Sequence, residues 1–152
     1  MLQQHDCSGR CVCVYDGAEG NQEMANRYDD WLRQAEADLR HARNALEDQD
    51  FEWSCFASHQ AAEKALKALY LNNSKEAWGH TLSALLGGLK AELQITDNLI
   101  ECSKALDKHY IPTRYPNGFD SGAPTDFYTR PEAEAAINCA ERIIEFCHRQ
   151  IR

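Results

Sequence analysis

From Arg27 to the end of the chain, apolar residues return every three or four positions, in one segment after another. That step is the period of a helix face, whereas a half-buried strand alternates. Trp31, Ala35, Leu39, Ala42 and Leu46 mark a first helix over about 27–48, closed by Asp48-Gln49-Asp50. A second runs over about 52–71. Phe56, Ala62, Leu66, Leu69 and Tyr70 give it apolar surface, and Ala57, Ala61, Ala65 and Ala68 keep it slim. Small side chains let neighbours approach closely, so this helix is expected at the centre.

A third helix, over about 80–93, turns Leu82, Leu85, Leu86 and Leu89 inward. Gly87-Gly88 weakens it by roughly 1 kcal/mol per glycine relative to alanine, so it is expected to be bent or short. A fourth starts near Thr96 with Leu99, Cys102, Leu106 and Tyr110, and Pro112 stops it. The stretch 113–128, with Pro116, Gly118, Gly122 and Pro124, reads as a long loop. Its Tyr115, Phe119, Phe127 and Tyr128 predict that it is pinned to the body. Thr129 and Glu132 form a capping box, and Pro131 stands in the first turn of a last helix. Ala133, Ala136, Ile137, Ala140, Ile143, Ile144, Cys147 and Ile151 make its wide apolar stripe.

Cys11-Val12-Cys13-Val14-Tyr15 is the one strand-like string. The pattern therefore predicts an all-α, up-and-down antiparallel bundle of four to five helices. Leu39, Leu66, Leu85, Leu106, Ile137 and Ile144 should share one core.

Residues 1–23 differ, with three glycines and no helical period. They read as a leader, with Met24 as the expected true start and 24–152 as the domain. The spacing of His5, Cys7, Cys11 and Cys13 fits none of the common zinc patterns, so no metal is expected. Seven cysteines is an odd count, and all are expected as thiols in a reducing cytosol. No apolar run approaches the ~20 residues of a membrane span, and no secretory signal is visible, so the expected place is the cytoplasm. The net charge is −8, of which the leader carries −3 and the body −5. That balance argues against a surface that grips nucleic acid along its whole length.

Three strings resemble the HEPN domain (higher eukaryote and prokaryote nucleotide-binding). One is His59-Gln60-Ala61-Ala62-Glu63-Lys64-Ala65-Leu66-Lys67-Ala68, and another is Gly79-His80-Thr81-Leu82. The most specific is Tyr110-Ile111-Pro112-Thr113-Arg114-Tyr115-Pro116, followed by Tyr128-Thr129-Arg130-Pro131-Glu132-Ala133. The resemblance covers about 24–151. It implies a bundle that commonly pairs with itself, and a small nucleotidyltransferase partner in a toxin–antitoxin-like pair. Some branches of the family are metal-independent ribonucleases, with a histidine four to six residues after an arginine. No histidine follows Arg114 in that register, and His109 lies before it. Arg142 and His148 match by spacing, but fall about 120° apart around a helix.

Arg114 offers a planar fork of donors to phosphate, and Tyr115 a face for a base. Equally, Arg114 can tie its loop to a carboxylate such as Asp120 or Asp126, with Tyr115 plugging the core. Lys64 and Lys67 either add charge to the same pocket or form a solvated face. His80 reads as a structural hydrogen-bond donor or a proton carrier, and His59 as half-buried. Trp31, Trp53 and Trp78 read as core or dimer surface.

The reading is a non-catalytic nucleotide- or partner-binding module, homodimeric and without cofactor. It would work with a minimal nucleotidyltransferase on a nucleotide or RNA ligand, through Arg114, Tyr115, Lys64, Lys67, His109 and His80. A ribonuclease toxin using Arg114 with His109 or His80 across a dimer is one alternative, and a plain dimerising scaffold is the other.

Overall fold

The computed structural model describes residues 27–151, so the leader and its His5, Cys7, Cys11 and Cys13 lie outside the described residues. Helix α1 (Tyr28–Glu47) buries Leu32, Ala35, Leu39, Ala42 and Ala45. Asp29 and Asp30 in its first turn suit the positive end of the helix dipole. Gln49, with φ of 67°, reverses the chain. Helix α2 (Phe51–Asn72) then packs along α1, and Ser54 Oγ donates to the Ala42 carbonyl at 2.8 Å to tie the pair.

Helix α2 is the centre of the bundle, with 14 of its 22 residues buried. Its alanines allow this, because α1 and α6 can both lie close against it. Away from its ends, the positions left unburied are Trp53, Phe56, Gln60, Lys64, Lys67 and Leu71. Their steps of three and four make a single stripe along the helix.

Helix α3 (Leu82–Leu89) is much shorter than the expected 80–93, as its glycine pair foreshadowed. Asp107, the last residue of α4 (Asp97–Asp107), accepts from the amides of Leu82 at 2.6 Å and Ser83 at 3.1 Å. It thereby caps α3 from a distant part of the chain. Thr96 caps α4, its Oγ1 accepting from the Leu99 amide at 3.3 Å. Helix α4 ends at Asp107, five residues before the proline expected to stop it. A chain reversal over 108–114 takes the place of the last predicted turn, and Thr113 Oγ1 bonds the His109 carbonyl at 2.7 Å there.

Of the aromatics expected to pin the 113–128 segment, Tyr128 packs against the core, while Tyr115 and Phe127 are exposed. A 3-10 turn (Pro116–Gly118) and the short α5 (Pro124–Phe127) break the segment up, and Phe119 stacks on Phe127 at 4.4 Å. Helix α6 (Arg130–Gln150) opens on the Thr129–Glu132 capping box and lies against α2, α4 and α1. Its stripe is used inside the bundle. All six core residues expected from the sequence fall in one buried cluster. Among the described residues there are six α-helices and no strand. None of these helices is long and apolar enough to cross a membrane. Cys55, Cys102 and Cys147 are buried, and burial pushes the Cys55 thiol up to about 12.

The two adjacent glycines of α3 make opposite demands. A Cβ on Gly88 would stand 2.2 Å from the Tyr70 hydroxyl, which donates to the Leu85 carbonyl at 2.8 Å. Gly87 has nothing within 4 Å of such a Cβ. Gly87→Ala should therefore gain up to about 1 kcal/mol from helix propensity. Gly88→Ala should lose about 1–2 kcal/mol, because the Tyr70 hydroxyl is displaced from its bond to the Leu85 carbonyl and left without that acceptor. Paired thermal melts check the difference in sign.

Candidate functional site

The half-exposed stripe of α2 is flanked on one side by α1 and on the other by the chain around Tyr110 and Arg114. On the α1 side its lysines are neutralised. Lys64 Nζ pairs with Asp38 of α1, and Lys67 Nζ donates to Glu63 at 2.8 Å while lying 5.8 Å over the Trp31 ring. Neither lysine is a free solvated charge.

Glu63 is a buried carboxylate that also receives His80. The His80 Nδ1 donates to its two oxygens at 3.0 and 3.2 Å. Nδ1 therefore carries a proton, and Nε2 is left on the outer side of a ring that is 53% exposed. The same ring stacks on Tyr110 at 4.9 Å, with 16° between the planes. His59 lies against Tyr110 from within, at 5.1 Å. It is fully buried rather than half-buried. Its Nε2 is 3.0 Å from the His80 carbonyl, and a carbonyl only accepts, so Nε2–H is the donor. Burial pulls the His59 pKa below its ordinary value, against the raising effect of Glu63. Its Nδ1 faces the Gln60 side-chain amide nitrogen at 3.4 Å, a donor that a neutral ring can accept from.

Arg114 is held among aromatic faces. Its guanidinium carbon lies 4.4 Å from the Phe56 centroid, 4.9 Å from Tyr110 and 5.2 Å from Tyr115. Nε donates to the Tyr110 carbonyl at 2.9 Å. No carboxylate among the described residues pairs with it, and Asp126 instead accepts from the Ala123 amide at 2.8 Å. The two terminal nitrogens thus keep their donors, in a setting where ring quadrupoles favour the cation. Tyr115 is 49% exposed, so it covers the arginine without plugging the core.

His109 is not part of this arrangement. It faces Tyr128 edge-on at 5.6 Å, and its buried Nδ1 has no partner. Burial lowers its pKa. Arg142 bonds Asn138 and Asn98, the latter on α4, whereas His148 meets Glu36 on α1 at 3.0 Å. These two residues serve different neighbours. Trp31 packs on the core, but Trp53 and Trp78 are 47% and 83% exposed.

Three residues of this neighbourhood went unrecognised in the sequence: Asp107, Glu63 as a shared acceptor, and Phe56 beneath the guanidinium. A carboxylate among the alanines of an otherwise buried helix was the one available signal for Glu63.

Comparison with known proteins bears on what such a domain is. The HEPN domain family model matches residues 28–150. Crystal structures share both fold and sequence. TT1696 from Thermus thermophilus is 46% identical with a TM-score of 0.80, over 82% of this chain and 98% of that one. ST0689, described as an archaeal HEPN homologue, is 40% identical with a TM-score of 0.72, over 84% and 99% of the two chains. A curated protein of Methanocaldococcus jannaschii, "Putative toxin MJ1304", is 29% identical over 124 residues, 76% of this chain and 82% of that protein. With its family model spanning the whole bundle and an all-helical fold shared with HEPN homologues, this chain belongs to the HEPN domain family.

Proposed function

We propose that the chain is a non-catalytic binding module of a toxin–antitoxin-like pair, working beside a minimal nucleotidyltransferase and taking the phosphate of a nucleotide on Arg114. One observation carries the reading. Arg114 is oriented by three rings and one carbonyl, yet its terminal donors have no protein partner among the described residues. A planar fork held in this way fits a phosphate in two-point contact. The exposed ring of Tyr115 offers a face for a base. The name of the Methanocaldococcus relative supports the toxin–antitoxin setting.

Titration of ATP and AMP by calorimetry tests this. Arg114→Ala should keep the helical signal and weaken binding roughly ten- to hundred-fold, the worth of a charge-assisted hydrogen bond. Arg114→Lys keeps the charge without the fork and should recover only part. A purely structural Arg114 would instead lower the melting temperature, with binding following the folded fraction. With the α6 stripe used internally, self-pairing rests on the family habit, and light scattering at micromolar concentration measures it.

A ribonuclease reading has one observation in its favour. Glu63 fixes His80 with Nε2 outward, and His80 and Arg114 approach the same Tyr110 ring. Purified protein is expected to leave RNA intact. Metal-independent cleavage lost in both His80→Ala and Arg114→Ala would replace the binding reading with this one.

A further inference from the structure

Every large hydrophobic side chain that is exposed among the described residues comes from α2, from the short α5 or from the loops. They are Trp53, Trp78, Ile111, Tyr115 and Phe127, and the outer faces of α1 and α6 contribute none. Arg114 is joined to this exposed set. Trp53 meets Phe56 edge-on at 6.0 Å, and Phe56 lies under the guanidinium, which Tyr115 covers. The result is an arginine with unused donors inside an exposed aromatic surround. Protein interfaces concentrate their binding energy in such a combination of Trp, Tyr and Arg.

The charge around it selects the kind of occupant. Lys64 and Lys67 are neutralised by Asp38 and Glu63, and the chain as a whole stands at −8. Two separate cations are framed by rings here, Arg130 over Phe51 at the start of α2 and Arg114 among Phe56, Tyr110 and Tyr115, which is not a basic track along which a polyanion could lie. A single carboxylate between apolar side chains complements Arg114, whose guanidinium sits inside the Trp53–Phe56–Tyr115 surround.

We propose that the Trp53–Phe56–Arg114–Tyr115 surface docks a segment of a partner protein, an apolar stretch carrying one Asp or Glu that takes the Arg114 guanidinium. This rests on the reading that Arg114 binds an anion, and it adds a regulatory consequence. The partner's carboxylate and a nucleotide phosphate compete for the same fork, so the module holds one or the other.

Selection of random twelve-residue peptides by mRNA display against the full chain tests the proposal. The enriched peptides should carry one acidic residue flanked by aromatic or aliphatic ones. Changing that residue to its amide should weaken binding roughly ten-fold or more. Trp53→Ala, an exposed change that should leave the melting temperature unaltered, should cost a similar factor. AMP should displace the peptides. Bound peptides that AMP cannot displace, from a protein that binds no AMP, would uphold the docking surface and refute the nucleotide reading alone. Enrichment no greater than against Arg114→Ala, or a selected pattern without an acidic residue, would overturn the proposal. So would a concentration-dependent dimer abolished by Trp53→Ala, which would assign the surface to a second copy.

Discussion

Asp107→Ala is expected to lower stability by about 2–4 kcal/mol, seen as a fall in melting temperature of roughly 10 °C. The first amides of any helix lack intrahelical acceptors. In α3 the residue before the helix, Thr81, makes no side-chain cap, and the acceptors come from Asp107 alone. Besides the two amides, its carboxylate takes the Ser83 hydroxyl at 2.6 Å. Leu82 is fully buried, so its amide gains little from water when the carboxylate is gone. Asp107→Asn keeps an acceptor and should recover more than half of the loss. Adding Thr81→Asp to the alanine variant supplies a local cap and should restore part of it. A melting temperature within about 2 °C of the parent for Asp107→Ala would show that α3 does not depend on this tether.

The second large effect is acid lability in a range where most carboxylates remain charged. His59 and His109 both have pKa values pulled below the ordinary 6.5, chiefly by burial. The folded chain therefore keeps them neutral where the unfolded chain begins to bind protons. Stability from this source is complete above pH 6.5 and declines as the pH falls below it, until each folded group also protonates. Each such proton contributes up to about 1.4 kcal/mol per pH unit, so two give up to about 2.7 kcal/mol. Urea denaturation at pH 7.5, 6.5 and 5.5 should show a flat first interval and a steep second one. The double variant His59→Gln/His109→Gln should flatten the second, whatever its stability at neutral pH. A slope unchanged in that variant would place the titrating groups elsewhere.

The helices were legible because their signal is local. Steps of three and four located α1, α2, α4 and α6, and the run of alanines marked α2 as central before any contact was known. The Thr129–Glu132 box gave the start of α6 to the residue. What the sequence concealed depends on residues far apart in the chain. Asp107 reaches α3 across 25 positions, and Glu63 reaches His80 across 17. No period encodes either contact. The end of α4 was misjudged for a related reason. Pro112 restricts only its neighbour, whereas the reversal over 108–114 is fixed by tertiary bonds such as Thr113 to the His109 carbonyl. Of the site, Arg114, Tyr115 and His80 were named from their positions, with His80 among the readings as a structural donor. That Lys64 and Lys67 would be neutralised, and that Arg114 would find rings rather than a carboxylate, needed the packing of α1 and the loop against α2.

Because α2 is enclosed on every side but one, it constrains how this protein can diverge. In a saturation mutagenesis survey, tolerance along α2 should rise and fall with the helix turn, peaking at Trp53, Phe56, Gln60, Lys64, Lys67 and Leu71. At the buried alanines between them, a larger side chain would overpack the interior against the neighbouring helices. Copies of this domain that have acquired different partners should therefore differ on one ribbon of the surface while their interiors stay nearly alike. A change of specificity can then be sought among six positions of this helix and the loop that faces them.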